Sequence, residues 1–79
     1  MKVIVIENAI KDELKRQNLT ITQLSQLTKL SYSHLNKIIN GRLSTALNTA
    51  VLIAYVLEVD VKQLFKEVEQ NKRTKKSII

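Results

Sequence analysis

The chain has 79 residues, and its 13 Lys and Arg against 7 Asp and Glu give a formal net charge of +6, which favours an anionic partner. This length allows one compact core, and a hydrophobic content of 44% predicts a folded domain. With no cysteine and a single histidine, His34, the chain excludes disulfide scaffolds and zinc fingers, and we expect no metal, cofactor or enzymatic activity in a domain this small.

The beginning of the chain predicts a short leading segment and two helices. Val3–Ile6 is β-rich, and so short a run fits either an edge strand paired with another chain terminus or an extension of the first helix. Apolar residues at helical spacing predict a first helix over about residues 8–17. Thr20, followed three residues later by Gln23, forms a capping box that starts a short second helix.

A third helix is predicted directly after the second. Leu24 and Leu27 share one side of the second helix, and its pattern breaks before Ser31, which offers the N-cap oxygen of the third helix. The third helix begins at Tyr32 and ends before Gly41, the only glycine in the chain, which suits the left-handed conformation at a helix end. Its apolar residues form one stripe, which leaves a polar set on the other faces: Tyr32, Ser33, Asn36, Lys37 and Asn40.

Two more helices are predicted, over about Thr45–Leu57 and Val61–Val68, and the carboxylate of Asp60 caps the second of them. The fourth helix is apolar on two sides. Its inner side consists of Leu47, Ala50, Ile53, Ala54 and Leu57. Its outer side consists of Val51, Leu52, Tyr55 and Val56. Because a small domain has little to cover the outer side, we expect a homodimer interface there; the alternative is that the fifth helix and the tail fold back over it.

Charged residues are unevenly distributed along the chain. No acidic residue occurs between Glu13 and Glu58, and this interval contains the basic residues Lys15, Arg16, Lys29, Lys37 and Arg42. Solvated helical surfaces normally mix both signs, so the interval indicates a surface that approaches phosphates, with chance as the alternative. We expect residues 1–68 to form the domain and residues 69–79 to be a basic tail, which either contacts DNA or only aids solubility. The basic residues of the tail are Lys72, Arg73, Lys75 and Lys76.

Residues 20–42 combine a short capped helix, a tight turn and a second helix with a polar outer face, which is a helix-turn-helix arrangement. This segment resembles the lambda-repressor-like family, also called Cro/C1 or XRE. The matching positions are Leu24, Ser25, Leu30, Ser31, Leu35, Ile38, Asn40 and Gly41. Leu47–Phe65 resembles the fourth and fifth helices of that family, so the resemblance covers about residues 8–66. It implies an all-α fold of five helices, with the helix-turn-helix motif at about residues 20–41.

The resemblance also implies which residues contact DNA. In this family the N-terminal part of the third helix enters the major groove, and the matching base-contacting residues are Tyr32, Ser33 and Lys37, with Asn36 beside them. Lys donates to guanine O6 and N7, and Asn pairs with adenine N6 and N7. The matching phosphate-contacting residues lie at the start of the second helix and around the end of the third: Thr22, Gln23, Asn40 and Arg42.

The sequence departs from the family pattern at three places. The family often pairs an Arg in the first helix with a Glu near the end of the third, and the matching residues here are Leu14 and Ile39, which we expect to touch. Lys29 stands where the turn often has Gly, so we expect it in the left-handed conformation, at a cost of roughly 1 kcal/mol. Ile21 replaces the common Gln at the start of the second helix, and we expect its backbone-contacting role to pass to Gln23.

These features predict a regulator that binds double-stranded DNA, and we interpret it as a repressor that occupies a palindromic operator as a dimer. One alternative is an antitoxin that also neutralises a partner toxin, and another is an adaptor or antirepressor that binds only protein. The longest nearly apolar stretch, residues 46–57, is shorter than the roughly 20 residues of a membrane span. Met1–Ile6 is too short for a secretory signal. We therefore expect a cytoplasmic protein.

Overall fold

The computed structural model describes residues 1–68, so the predicted basic tail lies outside the described residues. Within them, five helices and three short strands follow one another, and the predicted five-helix fold is confirmed. The elements are β1 (Lys2–Val5), α1 (Ala9–Gln17), α2 (Ile21–Thr28), α3 (Tyr32–Ile39), β2 (Thr45–Ala46), α4 (Leu47–Leu57), α5 (Val61–Leu64) and β3 (Phe65–Glu67).

One hydrophobic core lies between the helices and one face of the strands. α2 packs against α3 and α4, and α4 packs against α5. Every helix contributes a buried apolar residue to this core. The largest fully buried side chains are Ile10, Leu24, Leu35, Ile38, Ile39, Ile53 and Leu57. Because α3 contributes three of them from one stripe, its opposite side is turned outward.

A three-stranded antiparallel sheet joins the beginning and the end of the described chain. β1 is its central strand, with β2 on one side and β3 on the other. Val3 lies opposite Thr45, and Val5 lies opposite Phe65. Val3 and Val5 are buried, so alternate β-branched residues of β1 contact the core. The strand interpretation of Val3–Ile6 is confirmed, although β1 is central in the sheet and not at its edge.

The fifth helix is shorter than predicted, and the fourth begins later. α5 ends at Leu64 instead of Val68, because Phe65 is extended, with φ −131° and ψ 154°. The apolar spacing of this segment fits a helix locally, but pairing with β1 places the buried Phe65 opposite Val5. α4 begins at Leu47, because the two residues before it pair with β1 as β2. Both corrections arise from strand pairing between segments far apart in the chain.

Leu27 and Leu47 are exposed, although each was predicted to share a helix side with residues that are buried. Leu47 is 37% exposed and Leu27 is 56% exposed, whereas Leu24 is fully buried. Leu27 lies about 60° around the helix axis from Leu24, on the side away from Thr28. Thr28 takes the buried position one turn after Leu24, and its hydroxyl donates to the Leu24 carbonyl oxygen at 2.8 Å. Leu47 lies one turn before Val51 and shares its exposed side of α4.

Candidate nucleic-acid interface

The N-terminus of α2 is fixed by the predicted capping box. The Gln23 backbone N–H donates to Thr20 Oγ1 at 3.1 Å, and the Thr20 backbone N–H donates to Gln23 Oε1 at 2.8 Å. Thr22 and Gln23 are both exposed. The first backbone N–H groups of a helix have no acceptor within it, so those of Ile21 and Thr22 point out of this end of α2. This terminus therefore offers donors to an anion, as the phosphate-contacting prediction requires.

The turn between α2 and α3 is held by two hydroxyl side chains. Lys29 has φ 69° and ψ 16°, which confirms the predicted left-handed conformation. Its backbone N–H donates to the Ser25 carbonyl oxygen at 2.8 Å. Ser25 Oγ donates to the Leu30 carbonyl oxygen, and the Leu30 N–H donates to Thr28 Oγ1 at 3.3 Å. These bonds give the hydroxyl groups at positions 25 and 28 a role, because they join the last turn of α2 to the residue that follows Lys29.

The first six residues of α3 include the four predicted base-contacting residues. Ser31 caps the helix, and its Oγ accepts from the His34 N–H at 3.1 Å. Tyr32 is 51% exposed, and Ser33 and Lys37 are also exposed, whereas Asn36 is half-buried. Residues 32 and 36, and likewise 33 and 37, lie one above the other across successive turns. The structure thus brings the predicted set together on α3, with three of its four side chains exposed and Asn36 partly covered.

Two asparagines at the end of α3 are hydrogen-bonded to each other. Asn40 Nδ2 donates to the Asn36 carbonyl oxygen at 2.8 Å and to Asn36 Oδ1 at 3.0 Å. These bonds orient the Asn36 amide, with its Nδ2 group left for a further acceptor. Both hydrogen bonds are donated by the Asn40 amide. To contact a phosphate, this side chain gives up one of its two hydrogen bonds to Asn36.

The loop after α3 depends on the one glycine. Gly41 has φ 77°, a left-handed conformation that an L side chain rarely adopts. Its N–H donates to the Ile38 carbonyl oxygen at 3.1 Å, and the Arg42 N–H donates to the Lys37 carbonyl oxygen at 2.9 Å. This pair of bonds is a Schellman motif, which confirms the predicted helix end. It turns the chain so that the exposed Arg42 follows directly on the C-terminal end of α3.

The positive charge of α2, α3 and their loops is not neutralised within the described residues. The ion pair found in residues 1–68 joins Arg16 to Glu13 on α1. The hydrogen bond from Arg16, helped by one from Gln17 at 2.6 Å, holds the pKa of Glu13 below its ordinary value, and the same pair raises the pKa of Arg16. Arg16 is therefore already engaged, whereas Lys37 and Arg42 lie in an interval without any carboxylate.

The outer side of α4 is an apolar surface. Tyr55 is 78% exposed, Val51 is 46% exposed and Leu52 is 37% exposed, whereas Val56 is half-buried. Val56 also packs partly against the core, so the exposed apolar surface is formed mainly by the other three side chains. The sequence reasoning missed Leu27 of α2, which lines a shallow cleft with Tyr55 and Val56. The spacing of Leu24 and Leu27 fits a shared buried side, so the sequence pattern alone gave no signal of this exposure.

Comparison with known families identifies the class of this chain. Residues 10–64 match the model of the helix-turn-helix family, of the Cro/C1 or XRE-like type. Since this match covers more than half of the chain, the chain belongs to that family, and the resemblance noted in the sequence is confirmed. It is a DNA-binding transcriptional regulator. A comparison with curated proteins gives no match.

None of the helices in residues 1–68 is both long enough and apolar enough to cross a membrane. Over the same residues, no three His, Asp or Glu side chains are grouped so that they could hold a metal ion.

Proposed function

We propose that this protein is a repressor that binds a palindromic operator in double-stranded DNA as a homodimer, in the cytoplasm. The observation that carries the proposal is the exposed polar side of α3, framed by a fixed helix terminus at α2 and by Arg42 after α3. An α-helix fits the major groove of B-DNA, where each base pair offers a distinct pattern of donors and acceptors. A regulator without enzymatic activity acts there by occupying the promoter.

In this proposal, four side chains of α3 read bases. Lys37 donates to guanine O6 and N7, and Asn36 donates from its free Nδ2 while its Oδ1 accepts. Tyr32 packs on a thymine methyl group or donates to a phosphate, and Ser33 donates to or accepts from a base edge. The hydrogen bonds between Asn40 and Asn36 support this assignment, because they hold Asn36 in one orientation before DNA arrives.

Phosphate contacts flank the base-reading side chains at both ends. Thr22 and Gln23 bind a phosphate through the N-terminus of α2, whose backbone donors and positive dipole end attract an anion. Arg42 and Asn40 bind a phosphate beyond the other end of α3. Such contacts fix the position of the helix on the duplex but carry no sequence information.

The dimer in this proposal forms through the outer side of α4. Val51, Leu52, Tyr55 and Val56 supply its contacts, and exposed apolar surface of this kind is typical of association sites. A two-fold axis through this side separates two recognition helices by about 34 Å, which is one turn of B-DNA. The proposal therefore predicts two half-sites about one turn apart.

Selection of bound sequences from a random duplex pool tests the proposal. The wild-type protein is expected to enrich a palindrome with half-sites one turn apart. Lys37→Ala is expected to lose the preference at one base pair of each half-site, with discrimination reduced by about 1–3 kcal/mol. Lys62→Ala, which removes an exposed lysine of α5, is the control and leaves the selected sequence unchanged. Uniformly weaker binding by Lys37→Ala, without altered base preference, would contradict base reading by this residue.

Salt dependence separates this function from the protein-binding alternatives. With several phosphate contacts in each protomer, the logarithm of the DNA-binding constant falls with the logarithm of salt concentration by about 0.9 per contact. A flat response would favour an adaptor that binds only protein. An antitoxin keeps the DNA-binding response and in addition forms a stable complex with a separate protein, so co-purification distinguishes it.

A further inference from the structure

A second group of lysines lies beside the C-terminal end of α3. Lys11 of α1 and Lys66 of β3 line one cleft together with Asn40 and Gly41. Neither lysine belongs to the helix-turn-helix motif, and Lys66 follows the residues that match the family model. The cleft therefore shares Asn40 with the proposed DNA surface and extends beyond that surface to Lys11 and Lys66.

The three-stranded sheet creates this cleft. The loop after α3 lies against β1, since a Cβ built on Gly41 would lie 3.8 Å from Val5 Cγ1. Lys66 is opposite Ile4 in the ladder between β1 and β3, and Ile4 also lines the cleft. If residues 61–68 continued as a helix, this pairing would not exist. The change from helix to strand after Leu64 is thus what brings Lys66 next to the end of α3.

The charge of the cleft favours an anion. Lys11 and Lys66 are exposed, and within residues 1–68 neither is joined to a carboxylate by an ion pair. Glu7 also lines the cleft and opposes them, so its residues carry two positive charges against one negative charge. The nearby residues Asn40 and Arg42 are hydrogen-bond donors and carry no negative charge that would oppose the two lysines.

We propose that Lys11 and Lys66 bind backbone phosphates next to those held by Asn40 and Arg42, so that the sheet extends the DNA interface beyond the helix-turn-helix motif. This inference rests on the proposed DNA-binding function and adds a second binding surface to it. A lysine contacts a phosphate as a point charge, so these two residues strengthen binding without selecting a sequence. Glu7 weakens the same contacts by repulsion.

Binding of the selected duplex is measured over a range of salt concentrations for Lys11→Gln, Lys66→Gln and the control Lys62→Gln. All three variants remove one exposed positive charge, but only the first two change the cleft. Each cleft variant is expected to lower the salt slope by about 0.9 per protomer relative to the control. If the proteins bind equally at 1 M salt, that slope corresponds to about eightfold weaker binding per protomer at 0.1 M. The loss is the same for the operator and for random duplex.

Glu7→Gln removes the negative charge of the same cleft. It is expected to tighten DNA binding at 0.1 M salt, the opposite of the effect of the two lysine variants. Thermal unfolding verifies that each variant is folded, as expected for exposed residues. If Lys11→Gln and Lys66→Gln match Lys62→Gln while the wild-type protein still selects its operator, the extended surface is wrong and the proposed function stands. If the wild-type protein binds no duplex in dilute buffer, both proposals are wrong.

Discussion

Lys29 has a left-handed backbone conformation, which lysine adopts less readily than glycine or asparagine. Four residues other than glycine have positive φ in the described chain, and two of them are asparagines, which tolerate this region. Lys29 and Glu58 have no such tolerance. The strained backbone of Lys29 lies at the C-terminal end of α2, in the turn between α2 and α3.

Lys29→Gly is expected to raise the free energy of unfolding by roughly 1 kcal/mol, because glycine adopts the left-handed conformation without a Cβ penalty. Chemical denaturation measures the change. Gly41→Ala is the matched control at the left-handed position that already has glycine, and it is expected to change stability in the opposite direction, since φ at this position is 77°. A decrease in the stability of Lys29→Gly would mean that the side chain of Lys29 makes a contact that outweighs the strain.

The ion pair on α1 gives a pH dependence with a definite sign. Because Arg16 and Gln17 hold the pKa of Glu13 below its ordinary value of 4.5, the folded state favours the charged carboxylate. The stabilisation is therefore present above pH 4.5 and is lost as the pH falls through the lowered pKa of the folded state. The melting temperature of the wild-type protein is expected to exceed that of Arg16→Gln slightly at pH 7, and the difference to vanish at low pH. A difference that grows on acidification would contradict this account.

At the scale of elements, α1 and α3 contribute apolar side chains to the same core. Leu14 is 5% exposed and Ile39 is 2% exposed, and both belong to the one hydrophobic core. Their direct contact remains a prediction. Gln17 joins α1 to the C-terminal end of α4, since its Nε2 donates to the Leu57 carbonyl oxygen at 2.7 Å.

Ile39→Glu is expected to destabilise the fold by about 3–5 kcal/mol, because it buries a carboxylate without a partner. Ile39→Val, which keeps the site apolar, is expected to cost only about 0.5–1.5 kcal/mol. Combining Ile39→Glu with Leu14→Arg tests the contact: the double variant regains stability if the two side chains meet. Urea denaturation of the four proteins measures these differences, and a folded, unperturbed Ile39→Glu variant would contradict the packing.

Elements set by neighbours in the sequence were predictable, and elements set by distant pairing were not. The capping box at Thr20, the cap at Ser31 and the turn at Gly41 depend on residues within a few positions of one another. The change from α5 to β3 at Phe65 depends on β1, which lies at the other end of the described chain. The apolar spacing of residues 61–68 contains no sign of that partner.

At the scale of the whole molecule, the domain exposes two surfaces of different chemistry. The polar side of α3 and its basic flanks form one, and the apolar side of α4 forms the other. The predicted DNA-contacting residues could be named from the sequence because the resemblance fixed their positions on α3. Lys11 and Lys66 could not, because only the sheet brings them near the same end of that helix.

The dimer is tested by sedimentation of the wild-type protein and of Tyr55→Glu. The wild-type protein is expected to be dimeric at micromolar concentration, and Tyr55→Glu to be monomeric, because a charge in the centre of an apolar interface is desolvated without a partner. Lys62→Gln changes the net charge by the same amount outside this surface and is expected to remain dimeric. A wild-type protein that is only monomeric at high micromolar concentration would contradict the proposed interface.

Amide chemical shifts recorded by NMR during titration with the selected duplex test most directly whether the polar side of α3 contacts DNA. The largest changes are expected at Tyr32–Asn40 and at the N-terminus of α2, with smaller changes at Lys11 and Lys66, while the exposed side of α4 changes little between free and bound dimer. Changes confined to α4 or α5, with α3 unaffected at saturation, would contradict the account.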